Sequence, residues 1–176
     1  MVSVSGYGII SGFTNDGNKI PEQTIPQYYD KLGFSYNKFA DSITVSETEW
    51  DFERYKPDII VINLGTNDMN YATTDERKAE FEDGYLDFLK KVRSLNPDSY
   101  IFQTYGVMGT SLEENIENVR RKYMSETGDE RITFIPLTMQ DEDADGIVAD
   151  WHPSPRTHSL VSQKVTAAIK KTLGYK

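Results

Sequence analysis

The sequence predicts an α/β protein, a mostly parallel sheet with helices on both sides in three layers. Three observations predict it. Apolar runs of strand length alternate with amphipathic segments of helix length, in βαβα order. One run, Ile59-Ile60-Val61-Ile62-Asn63-Leu64, is short, apolar and β-branched, the pattern of a strand buried on both faces. The 176 residues suit one domain with a single hydrophobic core, so one domain is expected over 1–176.

The elements follow in order. Val2–Val4 reads as the tail of a strand, and Thr24–Leu32 as a short helix around Ile25, Tyr28, Tyr29 and Leu32. The rest of the first sixty residues reads as loop, an unusual length of loop for a compact domain. Lys56-Pro57-Asp58 punctuates the start of the apolar strand and Gly65 its end. Phe81, Tyr85, Phe88, Leu89, Val92 and Leu95 recur at spacings of three and four, which predicts a helix from Thr74 to Leu95. Thr74 is its expected N-cap, and Asn96-Pro97 stops it. Tyr100-Ile101-Phe102 with Thr104 is the next strand. A helix carrying Leu112, Ile116, Val119 and Tyr123 follows, with Ser111 as its expected cap and Gly128 as its end. Ile132–Ile135 is another strand. After an acidic loop, Asp141 to Asp150, the chain closes with a helix bearing Leu160, Val161, Val165, Ala168, Ile169 and Leu173.

Composition narrows the function classes. Nineteen Lys and Arg against twenty-eight Asp and Glu leave a net charge of −9, which argues against nucleic acid or an anionic membrane as partner. The absence of cysteine excludes disulfides, thiolate metal sites and a cysteine nucleophile. No stretch approaches the 18 apolar residues of a membrane span, and the start has neither the basic nor the apolar region of a signal peptide. No cofactor and no metal is expected. Asp141-x-Asp143-x-Asp145-Gly146 matches the first half of a calcium loop, but its twelfth position is His152, a poor calcium ligand, so the spacing is read as coincidence.

Two short segments carry candidate chemistry. Gly65-Thr66-Asn67-Asp68 stands at the carboxyl end of the buried strand, where open parallel sheets bind ligands. The Asn67 amide there is a candidate donor to a developing oxyanion. Asp150-Trp151-His152-Pro153 precedes the last helix. His152 is a candidate general base and Asp150 a candidate for orienting its ring. His158, at a helix start, is expected to pack or cap. Taken singly, each segment is also an ordinary polar turn.

Together, the two segments resemble the SGNH (GDSL-type) hydrolases. The run from Trp50-Asp51-Phe52 through Lys56-Pro57-Asp58 to Asp68 is similar to carbohydrate esterase family 2, and Val4-Ser5-Gly6-Tyr7-Gly8 resembles that family's second block. The resemblance implies a flavodoxin-like SGNH sheet and a serine esterase that removes acetyl groups from polysaccharide, acting outside the cell or at its surface. It implies His152 as the base with Asp150 behind it, or a backbone carbonyl instead, since the family's usual Asp position, three before the His, is Ala149 here. It also implies an oxyanion hole from the Asn67 side chain and the Gly6 backbone N–H. Ser3 and Gly8 are alternative holders of the place given to Gly6. Trp151 and Gly65 are expected to touch substrate. The family's Gly-Asp-Ser nucleophile block has no counterpart here, so its Ser, together with the first strand of the sheet, is expected upstream of Met1 or on a second chain. Ala40-Asp41-Ser42 imitates that block. Ser42, however, stands only 26 residues before Asp68, too few for the intervening helix, strand and crossover, when a single βαβ unit already needs about 30. The alternatives are a carbohydrate-binding module without a nucleophile and an SGNH lipase or esterase acting on small esters.

Overall fold

The computed structural model describes residues 6–34, the backbone of 38–39, and residues 42–175. The strand tail expected at Val2–Val4 lies outside the described residues, as do Ser3, Ala40 and Asp41. β1 (Lys38–Phe39) and β2 (Ile43–Thr44) pair antiparallel as a two-residue ribbon. β3 (Ile59–Asn63), β4 (Tyr100–Tyr105) and β5 (Ile132–Pro136) form a parallel sheet in that spatial order. The helices are α1 (Asp75–Leu95), α2 (Glu113–Thr127), the single turn α3 (Glu142–Asp145) and α4 (Pro155–Leu173).

Strand alternation divides the core in two. Ile60, Ile62, Ile101 and Tyr105 face α1 and α2, against Phe81, Tyr85, Leu89, Ile116 and Val119. Phe102 and Ile135 face the other way, onto Val161, Val165 and Ile169 of α4. The molecule is thus a three-layer α/β/α fold. One expectation needs correcting. β3 is not buried on both faces: Ile62 is buried, but Val61 is 48% exposed and Asn63 is exposed. Among the described residues β3 is an edge strand, and α4 lies over Phe102 and Ile135, leaving Val61 uncovered.

Local chemistry sets the helix ends. The Thr74 hydroxyl accepts the Arg77 N–H at 3.3 Å and caps α1, as expected. Thr74→Ala should lower stability by about 1 kcal/mol in urea unfolding, the usual worth of such a cap; an unchanged midpoint would mean that water replaces the hydroxyl without loss. The expected cap of α2 differs. Leu112 occupies the cap position, with no side-chain cap bond, and the Thr110 carbonyl takes the Glu113 N–H instead of Ser111 acting as cap. Gly128 ends α2 in the left-handed conformation.

Thr24–Leu32 is not a helix. It makes two successive single turns, Tyr28 N–H to the Ile25 carbonyl and Lys31 N–H to the Tyr28 carbonyl. The chain is then drawn away, because Leu32 N–H bonds the Thr48 carbonyl, Gly33 N–H the Val45 carbonyl and Trp50 N–H the Asp30 carbonyl. Backbone groups committed to residues 45–50 cannot close helical turns.

Candidate active site

All three strands of the parallel sheet point the same way, so the loops after β3, β4 and β5 share one edge. After β3 the chain turns at Gly65, whose φ of 121° a side chain rarely adopts. Gly65 is buried; a Cβ there would sit 3.2 Å from the Tyr105 ring and 3.4 Å from Ile116 and Phe81. The bare glycine lets the turn lie on the core.

Beyond that turn Asn67 and Asp68 grip the segment that begins at Gly6. The Asn67 Nδ2 donates to the Tyr7 carbonyl at 2.7 Å. The Asp68 carboxylate is fully buried and accepts the N–H groups of Ile9, Ile10 and Ser11 at 2.8–3.1 Å. The segment closes on itself through Phe13 N–H to the Gly6 carbonyl. Asn67 and Gly6 are thus brought into one unit. Burial pushes the Asp68 carboxyl up to about 6, against the pull of the three amide donors.

The loops after β4 and β5 extend this edge. Gly109 lies against the Met69 sulfur, joining the β4 loop to the β3 loop. The Gln140 N–H donates to the Val107 carbonyl, and its side-chain amide donates to the Trp151 carbonyl at 2.8 Å. His152 is exposed, and its Nδ1 lies 3.1 Å from the Ala149 carbonyl. Among the described contacts that carbonyl, and not the Asp150 carboxylate expected there, is the partner of the ring. Asp150 and Trp151 have φ of 55° and 57°, and two consecutive left-handed side-chain-bearing residues store local strain of order 1–3 kcal/mol each. Bonds on either side hold the turn: Val148 N–H to the His152 carbonyl, and His152 N–H to the Ala149 carbonyl. The turn presents the Trp151 indole at 66% exposure.

The other candidates sit elsewhere. Ser42 lies on an exposed turn into β2. His158 neither packs nor caps: it is exposed on α4, and Ser154 is the cap, accepting the Thr157 N–H at 3.2 Å. The acidic triplet is used locally. Asp141 accepts the Asp143 and Ala144 N–H groups as the cap of α3, and Asp145 pairs with Arg156. Among the described residues, no three His, Asp or Glu side chains converge as a metal site, and no helix is long and apolar enough to cross a membrane.

Residues 6–160 match the model of the GDSL-like lipase/acylhydrolase family. The chain belongs to that family. The cellulase/esterase CelE of Acetivibrio thermocellus is 35% identical over 148 residues, covering 79% of this chain and 17% of that protein. An acetyl xylan esterase, Est2A, from the rumen bacterium Butyrivibrio proteoclasticus superposes with a TM-score of 0.83 at 24% identity, over 96% of this chain and 50% of its own. A family two carbohydrate esterase from Clostridium thermocellum, solved in complex with cellohexaose, gives a TM-score of 0.76 at 30% identity, over 98% and 49%. The chain therefore spans about half the length of these solved relatives and less of CelE. Its relatives are family 2 carbohydrate esterases, which act on or bind carbohydrate.

Two residues of this edge escaped the sequence reading. Asp68 was visible as part of the Gly-Thr-Asn-Asp run, but its partners lie 57–59 residues away. Gly84 interrupts an otherwise strong helix. A glycine that costs helix stability yet sits mid-helix signals a close approach, and Ile10 is what approaches it.

Proposed function

We propose that this chain carries the base and the oxyanion donors of a carbohydrate O-acetyl esterase, with the nucleophilic serine supplied by a segment or chain outside it. The observation that carries this reading is the His152 ring. A carbonyl can only accept, so the Ala149 oxygen favours the tautomer with hydrogen on Nδ1 and leaves the Nε2 lone pair free to act as base. In the proposed reaction Nε2 takes the serine proton as the serine oxygen bonds the acetyl carbonyl carbon. It then gives that proton to the departing sugar oxygen, leaving an acetyl-enzyme. Water, deprotonated by the same nitrogen, releases acetate and restores the serine. Asn67 has two amide hydrogens and spends one on Tyr7, so the other remains for the oxyanion, beside the Gly6 backbone N–H. The substrate is acetylated xylan or glucomannan, met outside the cell or at its surface, with Trp151 stacking on a sugar face.

With a Gly-Asp-Ser-bearing strand restored upstream, the protein should release acetate from acetylated xylan. His152→Ala should then cut kcat by about 10²–10⁴-fold, the usual share of general acid–base catalysis. Acetate release that survives His152→Ala would reject the assignment of the base. A second reading rests on the exposed Trp151 indole: a carbohydrate-binding module without turnover. Calorimetry with cello-oligosaccharides separates the two, since binding without acetate release from the restored protein favours the module.

A further inference from the structure

The carboxylate of Asp68 is the most deeply held charge-bearing group at this edge, and it touches no substrate position. It lies under the backbone of residues 8–11, and every polar contact it makes with that segment is to a backbone N–H: Ile9 to both oxygens at 3.0 and 2.9 Å, Ile10 at 2.8 Å and Ser11 at 3.1 Å. Gly8 makes this approach possible, because a Cβ there would overlap the Ser11 carbonyl oxygen and stand 2.5 Å from Asp68 Oδ2. From the other side Ile10 nests on α1 at Gly84, where a Cβ would overlap its Cγ2 methyl. The segment is therefore held between a buried anion and a notch in a helix. The neighbouring residue, Asn67, is tied to the same segment by its bond to the Tyr7 carbonyl.

We propose that Asp68 is a positioning residue: by holding the 8–11 backbone it fixes the Tyr7 carbonyl, and through it the orientation of the Asn67 amide and the place of Gly6. This rests on the reading of Asn67 and Gly6 as oxyanion donors for its catalytic meaning, but the mechanical coupling stands apart from ester chemistry. One charged acceptor facing three N–H dipoles favours this loop conformation, because it satisfies all three donors at once. The titratable side chains that feel Asp68 are the buried hydroxyls of Tyr85 on α1 and Tyr105 on β4, and neither supplies a positive charge.

The test is a pH titration of the ¹⁵N-labelled full chain by NMR, in the wild type and in Asp68→Asn. In the wild type the amide resonances of Ile9, Ile10 and Ser11 and the Asn67 side-chain amide should move together with one midpoint near pH 6. In Asp68→Asn that shared titration should vanish and the Asn67 side-chain resonance should be displaced at every pH, while the β4 amides, Ile101 to Tyr105, stay where they were. A merely structural loss would move the β4 amides as well. The proposal is overturned if the three backbone amides are flat or titrate separately, or if Asp68→Asn leaves the Asn67 amide unmoved. The wild-type titration needs no variant, so a poorly folding Asp68→Asn still leaves the coupling decided. Failure of the esterase reading would show in the acetate assay with His152→Ala and would leave these resonances untouched.

Discussion

Gly8→Ala should be strongly damaging, lowering stability by about 3–5 kcal/mol and the melting temperature by about 10 °C. The added Cβ overlaps the Ser11 carbonyl oxygen and comes within 2.5 Å of Asp68 Oδ2. Neither neighbour is the far end of a flexible side chain. Ser11 is backbone, and the Asp68 carboxylate is held by three amides. Overpacking in a tight site costs about 1–3 kcal/mol. Pushing the segment off the carboxylate adds about 1–3 kcal/mol for each buried group left unpaired. Gly17→Ala is the control. It lies in the same N-terminal region at a φ of 74°, where an added Cβ would have its nearest neighbours at 3.7 and 3.9 Å, and it should cost much less. Differential scanning calorimetry of both variants decides it. Gly8 has no left-handed φ, so equal losses would mean that its close approach to Ser11 and Asp68 relaxes at no more cost than the positive φ of Gly17.

The second large effect is on the pH dependence of folding. The Asp68 carboxyl stands at about 6 in the folded protein, against an ordinary 3.8, because burial disfavours its charge more than three amides favour it. The folded state therefore binds this proton more tightly than the unfolded chain does. From this group alone, stability rises as pH falls from 7 towards 4, by about 3 kcal/mol in full and by about 1.4 kcal/mol between pH 7.5 and pH 5. Other acids run the opposite way. Burial raises Asp129 too, but the Arg131 N–H, the Tyr123 hydroxyl and the Arg93 guanidinium hold it below the usual carboxylate range, so its contribution is lost as the pH falls through that lowered value. The measurement is thus a difference. The unfolding free energy of the wild type minus that of Asp68→Asn should grow from pH 7.5 to pH 5. A difference that shrinks over that range would mean the amide donors outweigh burial and the carboxylate stays ionised.

The legibility of the sequence followed the range of the interaction. The α1 stripe was fully readable: Phe81, Tyr85, Phe88, Leu89 and Val92 are all buried, because helical neighbours are three and four residues apart and the pattern is local. So were the Thr74 cap and the stop at Asn96. Asn67 and His152 could be singled out because each stands in a short motif at a predictable turn. What spacing could not reveal was set by partners distant in sequence. The half-exposure of β3 depends on where α4 lands, the failure of the 24–32 helix depends on residues 45–50, and the Asp68 grip depends on amides that are near in space and remote in chain. The partner of the His152 ring was only half visible for another reason. A backbone carbonyl leaves no trace in residue identity, so the sequence could offer one only as the alternative to Asp150.

The long sequence separation of the Asp68 bonds also has a bearing on the order in which the molecule folds. From β3 to β5 the chain is built of successive crossovers, each strand pairing with the next after one helix. The Ile9 bond to Asp68 closes a span of 59 residues, in which the two-residue ribbon and β3 are the described strands. Closure entropy grows with the length spanned, and it must be met before the contact gives anything back. The crossover unit is therefore the expected nucleus, and the 6–13 segment is expected to dock onto its finished edge as a late step. In denaturant the order reverses. That segment is the first cooperative piece to leave, so the edge that carries Asn67 loses its shape while the sheet beneath it is still standing.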